Sequence, residues 1–247
     1  MQQQKEMTML ELDLRVPGAT RHFEAPGIKC HCGGTKPLTD TCAVAGVEVD
    51  AVEASLFVAD ASEESTDEKV FIEWSLTEII SHIVTKHHAF TRSEISRLYP
   101  LLDKVECEHG QNHPELSTIK SVFHQLGEEL KVHMMKEERF LFPYVIRMEE
   151  AMAQRRPCIR PPFGTVNTPV RMMMFEHDSA GEMLTKIRTL SSNFVCPPHV
   201  SPGFTTLYTA LEGLEKDLHQ HIHLENNILF LKAIELEVEV KKLEAPV

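Results

Sequence analysis

No stretch of this sequence is apolar for long enough to span a bilayer, which takes about 20 residues. Its first residues, MQQQKEMTMLELDLRV, also lack the apolar run of a signal peptide. These absences make a cytoplasmic protein with no membrane partner the expectation. Positive charge is short as well. Twenty-five Lys and Arg face 37 Asp and Glu, a formal net charge of −12 that argues against nucleic acid as a partner. Aromatic residues make up only 6% of the chain, so Leu, Ile, Val and Met carry most of a 42% hydrophobic content. The six cysteines, at 30, 32, 42, 107, 158 and 196, are spaced too unevenly for the disulfide framework of a small secreted domain. In a reducing compartment they are free thiols or metal ligands.

What the sequence does have is histidine, 14 residues in 247, and a strong helical period. Residues 1–25 show no clear period and are a candidate flexible segment. Residues 26–59 read as a small cysteine-containing helical domain, with a turn at Gly33-Gly34 and helix caps at Thr39, Asp40 and Asp50. The acidic stretch 60–70 reads as a linker. From 71 to 241 the period predicts four long helices, at roughly 73–104, 115–150, 168–194 and 203–241. The breaks CEHGQNHP, RRPCIRPPFGTVNTP and CPPHVSPG are short, long and short. The expected fold is all-α, an up-down-up-down four-helix bundle preceded by the small helical domain.

The second and fourth helices carry a repeat. LGEELKVHMMKEERFLF from Leu126 and LEKDLHQHIHLENNILF from Leu214 share L-x-x-x-L-x-x-H-x-x-x-E-x-x-[FI]-L-F, offset by 88 residues. At about 100° per residue, Leu214, Leu218, Glu225, Ile228 and Leu229 fall within about 80° of His221. Leu126, Leu130, Glu137, Phe140 and Leu141 fall likewise around His133. Each His–Glu pair therefore lies in the apolar stripe and faces the core, whereas His219 and His223 point to the opposite, solvent face.

One buried His–Glu pair is satisfied by an internal hydrogen bond. Two pairs in one core add the repulsion of two carboxylates, a cost of several kcal/mol that a shared cation removes. Antiparallel geometry locates the partners. A residue level with His133 across the first break lies near 88, and one level with His221 across the last break lies near 177. His88 and His177 stand there. His87 also lies near the stripe, but the pairing and the single histidine of the second copy favour His88. His109, His113 and His199 fall in turns and are expected in solvent, and His82 and His124 lie off their stripes. Imidazole with carboxylate in a helical bundle suits a pair of iron ions, with zinc and manganese as chemical alternatives.

HMMKEERFLFP, MMMFEHDSAGEML and HIHLENNILF resemble the hemerythrin-like bundle of the Repair of Iron Centres family, and GIKCHCGG resembles that family's small N-terminal domain. The resemblance covers roughly residues 25–236. It implies two iron ions in an oxo- or hydroxo-bridged centre held by His88, His133, Glu137, His177, His221 and Glu225. It implies a cytoplasmic stress-response role, the repair of iron–sulfur clusters damaged by nitric oxide or peroxide, with iron donated to damaged or apo iron–sulfur proteins. The alternatives are a nitric oxide reductase acting at the same centre, or a sensor or carrier of O2 or NO. Cys30 and Cys32 are candidates for redox sensing or partner contact. The family usually has two adjacent cysteines there, and His31 separates them in this chain. Glu176, beside His177, is a candidate for contact with the ligands from outside.

Overall fold

The computed structural model describes residues 73–243 together with Thr39 and Phe71. Backbone packing divides the chain into two compact units, Met1–Trp74 and Ser75–Val247. The expected N-terminal segment, the small domain and its linker, and with them Cys30 and Cys32, lie outside the described residues apart from Thr39.

The second unit is built from four long helices, and no strand occurs among the described residues. Helix α1 covers 76–109, α2 covers 115–153, α3 is Asn167–Leu190 and α4 covers 202–242. α1 starts at a capping box, in which the Ser75 side chain accepts from the Glu78 amide and Glu78 accepts from the Ser75 amide. Glu149 of α2 reaches the same helix start and accepts from the amides of Leu76 and Thr77 at 2.7 and 3.0 Å. α1 packs along α2 and α4, α2 packs along α3, and α3 meets α4 least. A bidentate ion pair reinforces that weakest seam, with Arg188 donating to buried Glu215 at 2.9 and 2.5 Å.

Both short turns are more tightly packed than the sequence suggests. α3 ends at Leu190 because Ser192, Asn193 and Phe194 take left-handed φ values of 50, 59 and 59°. His109 and His113, expected in solvent, are half-buried because both rings lie against Phe204, with centroids 5.4 and 5.2 Å away. His199 is exposed, as expected. In the long connection Glu237 of α4 accepts from the Val166 amide and the Tyr144 hydroxyl at 2.8 and 3.0 Å. That anchor ties the end of the proline-rich loop to the bundle, and Cys158 within the loop is buried rather than on the surface.

The core has two apolar layers with a polar one between them in the chain's register. One layer includes Leu98, Leu102, Ile119, Phe123, Leu207 and Leu211. The other includes Ile79, Ile83, Phe142, Met148, Phe230 and Ala233. Where the polar layer sits, three of the four helices depart from α geometry. Ile83–His88 in α1, Glu137–Leu141 in α2 and Glu225–Leu229 in α4 are π-helical turns. Each π-turn accommodates an extra residue and shifts the helix phase. Phe140, placed in the apolar stripe by a constant period, is consequently 58% exposed, and the stripe resumes at buried Leu141 and Phe142.

Candidate metal centre

The structure brings His88, His133, Glu137, His177, His221 and Glu225 together as two overlapping groups. His88, Glu137, His221 and Glu225 form one, and His133, Glu137, His177 and Glu225 form the other. Within each, one nitrogen or oxygen from every residue lies within 4.8 Å of the rest. All six residues are buried, and the two glutamates have no solvent exposure at all. The glutamates belong to both groups. Oε2 of Glu137 is 3.4 Å from Nε2 of both His88 and His133. Glu225 straddles the groups, with Oε1 3.0 Å from His221 Nε2 and Oε2 3.1 Å from His177 Nε2.

The far side of each imidazole fixes how it presents itself. Nδ1 of His88 donates to Glu138 at 2.6 Å, Nδ1 of His133 to Glu176 at 2.9 Å, and Nδ1 of His177 to the side-chain Oδ1 of Asn226 at 2.9 Å. A carboxylate only accepts, so the proton of a neutral imidazole sits on Nδ1 and the Nε2 lone pair points inward. Burial favours that neutral form and lowers the His88 and His133 pKa values to about 4. Two such lone pairs face each other at 3.0 Å between His133 and His177. The corresponding approach between His88 and His221 is 3.2 Å.

The carboxylates pose the same difficulty. None of the four oxygens of Glu137 and Glu225 has a hydrogen-bond partner of good geometry. Burial, then the charge of Glu225, pushes Glu137 well above the usual carboxylate range. Burial would also raise Glu225, but His221 and His177 outweigh it and hold that carboxyl well below the range. Two carboxylates this close share one proton unless a cation replaces it. Inward lone pairs, unpartnered oxygens and a mixed imidazole–carboxylate donor set are the features of a site that fits two cations. Each position would take two histidines, with both glutamates shared between them.

Glu176, a sequence candidate, lies against the site. Its hydrogen bond from His133, aided by Lys136, holds its pKa down at about 2. His87 is also buried but turns away, with Nδ1 3.0 Å from Asp217 Oδ1. His219 and His223, expected to face water, are half-buried, and His223 Nδ1 lies 2.9 Å from Asn227 Nδ2. Sequence reasoning missed Glu138 and Asn226. The available signal was their equivalent place, one residue after each repeated glutamate.

Comparison with known proteins adds two findings. The profile of the Hemerythrin HHE cation binding domain matches residues 79–233. The chain is 31% identical over 229 residues to a protein of Haemophilus influenzae named "Probable iron-sulfur cluster repair protein", an alignment covering 93% of this chain and 97% of that one. It is 31% identical over 230 residues to "Iron-sulfur cluster repair protein YtfE" of Dickeya chrysanthemi and 32% identical over 230 to the protein of that name in Escherichia coli O81. Both alignments have the same 93% and 97% coverage.

Proposed function

The chain belongs to the hemerythrin HHE cation-binding family, alongside its iron–sulfur cluster repair proteins, and from that membership we propose that it repairs damaged iron–sulfur clusters with iron carried at the buried six-residue site. Two iron ions would be held by His88 and His221 on one side and by His133 and His177 on the other, with Glu137 and Glu225 available to both. The observation that carries this reading is the pair of Nε2 atoms of His133 and His177, turned lone pair to lone pair at 3.0 Å beside unpartnered carboxylate oxygens.

Bound iron in such a centre supplies redox chemistry and a source of metal for an incomplete cluster. The chain's own residues prepare the site for it. Glu138, Glu176 and Asn226 hold three imidazoles in the tautomer that binds metal. Phe142 stacks on His88 and Phe230 on His177, with centroids 5.8 and 6.0 Å apart, and these rings exclude water from the ligands. Six protein ligands for two ions leave coordination positions free, which suits a small ligand or transfer of an ion. The partners in this reading are apo or damaged iron–sulfur proteins, and the damaging agents are nitric oxide or peroxide. No described helix is long and apolar enough to cross a membrane.

The test loads the reduced protein with iron without oxygen and mixes it with an apo iron–sulfur protein and sulfide. Cluster absorbance should rise as iron leaves the donor. Sustained conversion of added nitric oxide to N2O with all iron retained and no cluster formed would reject donation in favour of a reductase.

A further inference from the structure

The repeat extends beyond the six central residues. The repeat of α2 in α4 pairs His133 with His221 and Glu137 with Glu225, and the matching hydrogen bonds pair His88 of α1 with His177 of α3. The aromatic covers follow it, since Phe142 on His88 corresponds to Phe230 on His177. The outer hydrogen bonds follow it too. Glu138, the residue after Glu137, accepts from His88 Nδ1; Asn226, the residue after Glu225, accepts from His177 Nδ1.

At the remaining pair the relation fails. Glu176, the residue before His177, accepts from His133 Nδ1 at 2.9 Å. The residue before His88 is His87, and its corresponding place is at Nδ1 of His221. His87 makes no hydrogen bond there. Its Nδ1 is committed to Asp217, and its ring lies nearly parallel to that of His221, at 10°, with centroids 5.7 Å apart. Nδ1 of His221 and Nε2 of His87 are both buried without a hydrogen-bond partner.

We infer that the two metal positions are unequal, and that the one bounded by His88 and His221 is the exchangeable one. This rests on the two-ion reading above and names which ion is donated. Two effects act in the same direction. A metal-bound imidazole with no outer acceptor binds less tightly, and outer partners of metal ligands are typically worth about 10- to 100-fold in affinity. The emptied position is also easier to accommodate on the His88–His221 side. With Nδ1 unclaimed, neutral His221 places its proton on Nε2 and donates to His88 Nε2 at 3.2 Å. For His133 that option is closed, because the Glu176 carboxylate only accepts and holds its proton on Nδ1; the Asn226 side-chain carbonyl, as oriented, does the same for His177. An emptied position there leaves two lone pairs opposed.

The experiment loads the full chain with two equivalents of ferrous iron, adds a strong chelator in excess without oxygen, and follows release. Two phases at least about tenfold apart are expected. After one equivalent has left, anomalous scattering from crystals should place the remaining ion between His133 and His177. Asn226→Ala should speed the slow phase and leave the fast one unchanged. His87→Gln, whose amide can accept from His221 and donate to Asp217, should slow the fast phase. Release of both equivalents in one phase, a remaining ion between His88 and His221, or a slow phase unaffected by Asn226→Ala would overturn the assignment. Binding of fewer than two equivalents at the outset would instead overturn the two-ion reading on which it rests.

Discussion

The layer of the bundle nearer the short turns and the layer holding the six central residues are built on opposite terms. Around Leu98, Phe123 and Leu211 the helices are regular, the core side chains are apolar, and their burial is the main source of stability. Around Glu137 and Glu225 three helices contain π-turns, and four imidazoles and two carboxylates are buried facing one another. The first layer folds the chain. The second buries opposed polar groups at a cost that bound cations would offset, and the bundle tolerates it because apolar layers lie to either side. The division separates stability from chemistry, and perturbations aimed at one layer should spare the other.

The largest effect belongs to the shared glutamates. Glu225→Ala or Glu137→Ala removes a carboxylate that the proposed centre shares between both positions. Each should abolish the dinuclear absorption spectrum and lower the bound metal while circular dichroism still reports a helical bundle. An unchanged spectrum would reject the assigned ligands. Next comes Phe123→Ala in the apolar layer, with an expected loss of about 3–5 kcal/mol in denaturant unfolding and full metal content under native conditions. Loss of metal in that variant would show that the layers are not separable.

Acid sharpens the comparison further. In the metal-free protein burial holds His88 and His133 near 4, below an unfolded value of 6.5. The unfolded chain therefore binds more protons between those values, and stability falls as the pH drops from 6.5 to 4. The expected loss is on the order of 3 kcal/mol for each histidine. Replacing His88 and His133 with Gln should flatten this part of the pH profile of thermal unfolding; an unaltered profile would mean that other groups cause it. The smallest effect is expected from Gly127→Ala. A Cβ there would stand 2.3 Å from the Tyr99 hydroxyl and 3.3 Å from Ile95, where α1 and α2 approach closely. The Tyr99 ring, packed on His124 and Phe123, must shift, so about 1 kcal/mol of destabilisation is expected, with no change in metal content.

The same contrast governs how much was legible in the sequence. The apolar layers could be read from period alone, and the four helix spans follow from it to within a few residues at most ends. Both histidine–glutamate pairs of the repeat also lie where a constant 100° step puts them, because each pair precedes or opens its π-turn. Phe140 was misplaced because it lies within that turn, where the phase shifts, and nothing in ERFLF marks the change. The half-buried state of His109 and His113 depends on Phe204, nearly a hundred residues away, and has no local signal. Glu138 and Asn226 were detectable only by taking the repeat one position further. The failed equivalence of His87 and Glu176 required side-chain directions, since both are polar residues directly before a central histidine.

The most direct test of the central claim is an iron assay of the anaerobically purified chain combined with an anomalous-scattering map of its crystals. Two iron ions per chain are expected, one between His88 and His221 and the other between His133 and His177, with Glu137 and Glu225 reaching both. A single ion, or ions bound away from these six residues, would contradict the account.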